Sequence, residues 1–149
     1  LAQKERLDIS YELINSNEDA QNLHQRVGDA NIYVRGVLHQ IQHPDRPLVA
    51  QQLQTLLGKK GILYLIELAP AAHDLLEQFV QKQEVPSGLH KVLENQITPG
   101  GISPEDLRSL FPAPEFHLID AGAALMPMNA IVKGVPVELP AQYAVITRF

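Results

Sequence analysis

Gly28–His43 reads GDANIYVRGVLHQIQH, and the kind of sheet this chain builds turns on that stretch. The apolar triplet Ile32, Tyr33 and Val34 runs straight into Arg35 and Gly36, and the segment beyond carries His39 and His43. β-Branched and aromatic residues favour a strand. Titratable residues just past the carboxyl end of a buried strand are where open α/β sheets place their ligands. Asn31–Val34 is therefore expected to be a strand, and the residues after it the mouth of a site.

The chain on either side supplies partners for that strand. Downstream, Arg46–Leu57 carries Val49, Leu53, Leu56 and Leu57 at helical spacing, with Asp45 as its expected cap and Gly58 and Gly61 around its exit. Ile62–Leu68 is apolar at nearly every position, as in a strand covered on both faces. Strand, helix and strand in this order make a βαβ unit. Upstream, Leu1–Arg6 reads as the last turn of a helix, and Leu7–Ile14 alternates with period two as a strand does. Asn17 is the expected N-cap of a helix over Glu18–Val27, which Gly28 ends.

Beyond Ala69-Pro70, helical patterns cover Ala72–Lys82 and Ser87–Gln96, separated by Pro86. Ser103-Pro104-Glu105-Asp106 is a helix start, with a capping Ser, Pro at the first helical position and acids in the first turn. Glu115–Ala121 and Gln142–Phe149 read as an antiparallel pair joined by a Pro- and Gly-bearing connection. Residues 1–149 are thus expected to form one α/β domain, with a helical cover over about 71–111.

Composition narrows the partners. The chain has 149 residues and a net charge of −5, with basic residues scattered except for Lys59-Lys60, so a nucleic-acid partner is not expected. No cysteine is present, which excludes a disulfide scaffold and a Cys nucleophile and agrees with a cytoplasmic setting. No apolar run approaches the roughly 20 residues that span a bilayer. The chain opens on Leu1 rather than Met, from which residues upstream are expected.

With these elements placed, the sequence resembles the later part of a class I S-adenosylmethionine-dependent methyltransferase domain. Ile9–Asn15 resembles the strand before the adenine-contacting turn. Asp29–His39 resembles the fourth strand and its loop, and Gly61–Leu68 the Gly-containing turn and fifth strand. The terminal pair fits the antiparallel closure of that fold. The resemblance implies a Rossmann-like, doubly wound sheet, mostly parallel with an antiparallel terminal strand, lacking its first strands. The family's Gly-rich turn after its first strand, and the acid that follows, are absent from these 149 residues. Gly58-Lys59-Lys60-Gly61 and Gly100-Gly101 follow helices and cannot stand in for a phosphate-type loop.

The implied activity is methyl transfer from S-adenosylmethionine to an O, N or C atom of a small molecule. Asn15 and Ser16 would lie near the adenine, and an Asn-rich turn and helix cap explains them equally well. Arg35 would meet a cofactor or substrate carboxylate, or form an ion pair with Glu67 at the end of the neighbouring strand. Gly36 allows close backbone approach to a ligand, as it would in a simple turn. His39 is the candidate base, an imidazole able to take a proton as the methyl moves, and a packing role suits it as well. His39 and His43 stand four apart, but Pro44 interrupts any helix and no third ligand follows, so no metal is assigned. No Ser lies in a Gly-x-Ser-x-Gly setting. The inserted helices would cover a substrate, pack on the sheet, or pack across a homodimer. The competing readings are a non-catalytic, methyltransferase-like scaffold and another doubly wound enzyme such as a nucleotide-dependent oxidoreductase.

Overall fold

Ile62–Leu68 is the strand around which the sheet assembles. In the computed structural model, which describes residues 8–81, 100–132 and 135–149, the strands are β1 (Ile32–Arg35), β2 (Ile62–Leu68), β3 (Phe116–Val132) and β4 (Val135–Arg148). They lie in the order β1-β2-β4-β3. β1 and β2 run parallel, with Arg35 opposite Ile66. β2 and β4 run antiparallel, with Glu67 opposite Gln142, and β3 pairs antiparallel with β4. The expectation was a mostly parallel sheet with an antiparallel terminal strand, and that terminal strand is present as β4 paired with β3. Among the described strands the sheet is mixed, because its two longest members form one terminal hairpin.

Four helices are described: α1 (Asn17–Val27), α2 (Arg46–Leu57), α3 (Ala71–Gln81) and α4 (Pro104–Leu110). Alternation along β2 sends its side chains to two apolar clusters. On one face Leu63 and Leu65 join Val34, Ala144 and Ile146 against Ala50 and Leu57 of α2 and against Leu107 and Leu110 of α4. On the other face Leu68 and Ile66 meet Ala72 and Leu76 of α3, together with Val137, Leu139 and Ala141 of β4. α3 and α4 therefore cover opposite faces, each packing on the sheet. α1 lies against α2, tied by Asn17 to Gln51 at one end and by Asp29, which accepts from the Lys59 and Lys60 amides, at the other. None of the described helices is long and apolar enough to cross a membrane.

α4 has the start that its sequence announces. The Ser103 hydroxyl accepts from the Asp106 amide at 3.1 Å while the Asp106 carboxylate accepts from the Ser103 amide at 2.7 Å, a reciprocal capping box. Ser103→Ala is expected to lower stability by about 1 kcal/mol, read as a fall of roughly 3 °C in a thermal melt.

Several expected elements are corrected. Asp8–Ile14, the described part of the expected first strand, is not a strand, and Ile9, Tyr11 and Leu13 are exposed. Alternation makes a strand only where another strand completes its hydrogen bonds, and the outer edge of β1 is not paired with this segment. Ser16, not Asn17, caps α1, its side chain accepting from the Asp19 amide. Asp45 makes no side-chain cap, because it closes a 3-10 turn (His43–Asp45) that leads directly into α2.

The terminal strands run far beyond Glu115–Ala121 and Gln142–Phe149, through Met126, Pro127, Pro136 and Pro140. β2 pairs with β4 only from Ala141 onward, so the rest of the hairpin is a two-stranded ribbon. Proline is tolerated there, where an N–H faces no neighbouring strand. The expected elements at Leu1–Arg6 and Ser87–Gln96 lie outside the described residues.

Candidate functional site

The chain turns sharply where β1 ends. Gly36 takes a φ of +68°, a conformation that only glycine adopts without strain, and its amide still donates to Ile66 O of β2 at 2.9 Å. Val37 then enters a short 3-10 turn (Leu38–Gln40), anchored by the fully buried Leu38. This geometry aims the amides of Val37, Leu38 and His39 at one point, a concavity suited to an anion.

That point is occupied by the carboxylate of Glu67. Its Oε1 accepts from the Val37 and Leu38 amides at 2.9 and 3.0 Å, and its Oε2 accepts from the His39 amide at 3.1 Å. The same Oε2 lies 2.6 Å from His39 Nδ1. Glu67 has no solvent exposure and His39 is 6% exposed. Burial pushes the Glu67 carboxyl up, but the bonds from the His39 ring and from the Leu38, Val37 and His39 amides outweigh it and leave the group below its ordinary value. Glu67 is therefore ionised near neutrality.

An ionised carboxylate has no proton to give, so Nδ1 must carry the hydrogen of this bond. In the neutral ring Nε2 is then a bare acceptor, and no described residue donates to it. Chemically, the arrangement is a buried carboxylate–imidazole dyad at the end of β1.

The expected Arg35–Glu67 ion pair does not form. Because Arg35 lies opposite Ile66, the two share a face, and Glu67, one residue on, points to the other. Arg35 is exposed and donates instead to Pro127 O of β3 at 3.4 Å. Glu67 supports the turn rather than the arginine. His43 does not join His39: its ring is largely exposed and lies 4.0 Å from Asp106.

Asn15 and Ser16 sit at the start of α1, on the side facing the carboxyl ends of β1 and β2. This follows from Asn17 meeting Gln51 midway along α2, while the far ends of both helices approach Asp29 and Lys59. The Asn15 amide donates to Asp19 Oδ2 at 3.0 Å and the Ser16 hydroxyl accepts from the Asp19 amide at 3.1 Å. Ser16 thus caps α1, and Asn15 is tied to its first turn through Asp19. Among the described contacts none joins them to Gly36 or His39.

Met126 is the residue that sequence reasoning missed. A Cβ placed on Gly36 would lie 3.4 Å from His39 Cε1 and 3.8 Å from Met126 Sδ, so glycine, imidazole and thioether form one wall. Only the return of the β3–β4 ribbon over the sheet brings Met126 there, across 90 residues of sequence, and no local pattern announces it.

No family model matches the chain, and no curated protein matches it. Among solved structures, 24 chains match. One is an S-adenosylmethionine-dependent methyltransferase from Anabaena variabilis, 35% identical, with a TM-score of 0.90 over 99% of this chain and 62% of that one. Another, from work on converting a disulfide bond into a thioacetal group during echinomycin biosynthesis, is 14% identical with a TM-score of 0.64, over 99% of this chain and 59% of that one. The second is a likeness of fold alone. The chain spans less than two thirds of the length of either.

Proposed function

Starting from a methyltransferase-like fold, we propose that this chain is the later part of a Rossmann-like domain that transfers a methyl group from S-adenosylmethionine to an oxygen or nitrogen of a small molecule. The observation that carries the reading is the buried dyad at the mouth of β1, in which Glu67, held below its ordinary carboxylate value, bonds His39 Nδ1 at 2.6 Å. A net charge of −5 supports a small acceptor over a nucleic acid.

The residues present are compatible with the cofactor at this end of the sheet. Gly36 has a positive φ and no side chain, so its backbone is open to close approach. The Asn15 side chain is exposed and offers a carbonyl acceptor for an adenine amino group. Ser16 keeps a hydroxyl proton to donate while its oxygen caps α1. Arg35 and Gly36 stand at the carboxyl end of β1. S-Adenosylmethionine, when bound, supplies an electrophilic methyl group on a sulfonium.

His39 does the protein's share of the chemistry. Nε2 accepts the proton that leaves the acceptor hydroxyl or amine as its lone pair engages the methyl carbon, and Glu67 stabilises the resulting imidazolium. The three amides that grip Glu67 keep the dyad from shifting during that transfer. Cytoplasmic location and a homodimer are compatible with this reading.

Calorimetry on the full-length form of the protein is the direct test. S-Adenosylmethionine and its demethylated product are both expected to bind with micromolar dissociation constants. Absence of heat from both at about 1 mM, where even a weak binder of about −4 kcal/mol would register, would remove the reading.

A further inference from the structure

We infer that the end of β1 and the returning β3–β4 ribbon form a subsite for an acceptor with an apolar body and a carboxylate, held by Arg35 and by Met126 and Met128. This deepens the proposed function by naming the class of acceptor, and to that extent rests on it.

The cation comes first. Among the described residues, Arg26, Arg108 and Arg148 have carboxylate partners in Glu12, Glu105 and Glu115. Arg46 is buried, donates to Ile41 O, and acts on the nearby Asp106 carboxylate. Arg35 alone of these has only a backbone carbonyl, Pro127 O at 3.4 Å. One carbonyl engages one of five guanidinium donors, so a planar fork is left for a carboxylate. The contact also fixes where that fork sits, since it ties Arg35 to the ribbon. On a chain of net charge −5, an anion needs such a local cation.

The apolar half lies on the same ribbon. Met126 and Met128 flank Pro127 and pack with Ile66, Leu75 and Phe79 in the cluster beneath α3. Met126 also lies against the Gly36–His39 turn. Met126 is 7% exposed and Met128 is half-buried, so an aliphatic or aromatic body meets this wall as the unbranched thioethers shift to receive it. A ligand whose carboxylate meets Arg35 and whose body lies on Met126 is carried past His39, where its transferable proton would meet Nε2.

Met126 and Met128 are the two methionines of these 149 residues, so carbon-13 labelling of the methionine methyls, with their two resonances assigned through Met126→Leu and Met128→Leu, reports on this subsite. The probe is 3-phenylpropanoate, with 3-phenylpropanol as its uncharged counterpart, titrated into the full-length protein without any methyl donor. The acid is expected to shift the Met126 resonance saturably in the millimolar range and the alcohol to bind about ten-fold more weakly. Arg35→Ala should bring the acid to the level of the alcohol. Arg35→Lys, which keeps the charge and loses the fork, should fall between them.

Unshifted methionine resonances overturn the inference. So does an alcohol that binds as well as the acid, or an Arg35→Ala protein that keeps the preference while its unliganded spectrum shows it folded. Methionine shifts in a protein that gives no heat with S-adenosylmethionine would retain the subsite and remove the methyl-transfer reading. The reverse result would do the opposite, so the two failures are distinguishable.

Discussion

Glu67→Gln is expected to lower the unfolding free energy by about 3 kcal/mol, the scale seen when one partner of a buried, hydrogen-bonded charge pair is removed. The corresponding fall in melting temperature for a chain of this length is about 10 °C. The Gln side chain has nearly the same shape, so packing is kept. What is lost is the acceptor set: four donors converge on the two Glu67 oxygens. An amide offers one oxygen and turns an NH2 toward the remaining donors, leaving buried N–H groups without partners.

The same group predicts the acid limit of stability. Hydrogen bonding holds the folded carboxyl below its ordinary value of 4.5 despite burial. Its contribution is therefore fully present above about pH 4.5 and is lost as the pH falls through the lower folded value. The gap in melting temperature between wild type and Glu67→Gln should close as pH is lowered from 7 toward 3. A gap that stays constant, or a variant as stable as wild type at pH 7, would show that Glu67 does not hold the turn as an anion.

His39→Ala is expected to reduce kcat by about 10²- to 10⁴-fold, the usual contribution of a positioned general base, with little change in KM. Some stability is also lost, because one of the four donors to Glu67 disappears. Kinetics therefore belong well below the variant's melting temperature, with folding checked by circular dichroism. A variant that keeps more than about a tenth of wild-type turnover would mean that proximity and alignment suffice for the transfer.

Much of the fold was legible in local pattern. Arg46–Leu57 and Ile62–Leu68 emerge with the bounds that their apolar spacing suggests, and Ser103 caps α4 as its motif requires. Patterns that depend on distant partners were less legible. Asp8–Ile14 has strand-like alternation without a strand to pair with, and prolines concealed the length of the β3–β4 ribbon. In the candidate site, Gly36 and His39 stand out in sequence as residues past a strand end. The identity of Glu67's partner does not, because it depends on which residue of β2 faces Arg35.

The sequence by itself determined the βαβ core, its helix stops and the position of a polar mouth after Val34, since periodicity, capping and glycine placement act within a few residues. Tertiary structure alone decided which side chains that mouth brings together. The parallel register puts Ile66 beside Arg35 and sends Glu67 under the amides of Val37, Leu38 and His39. The ribbon's return then gives Arg35 a carbonyl and His39 a thioether neighbour. A strand's side chains alternate between two faces, so a shift of one residue in pairing would exchange these partners entirely. Local sequence pattern did not reveal this register, and the Gly28–His43 stretch acquires its chemistry from it.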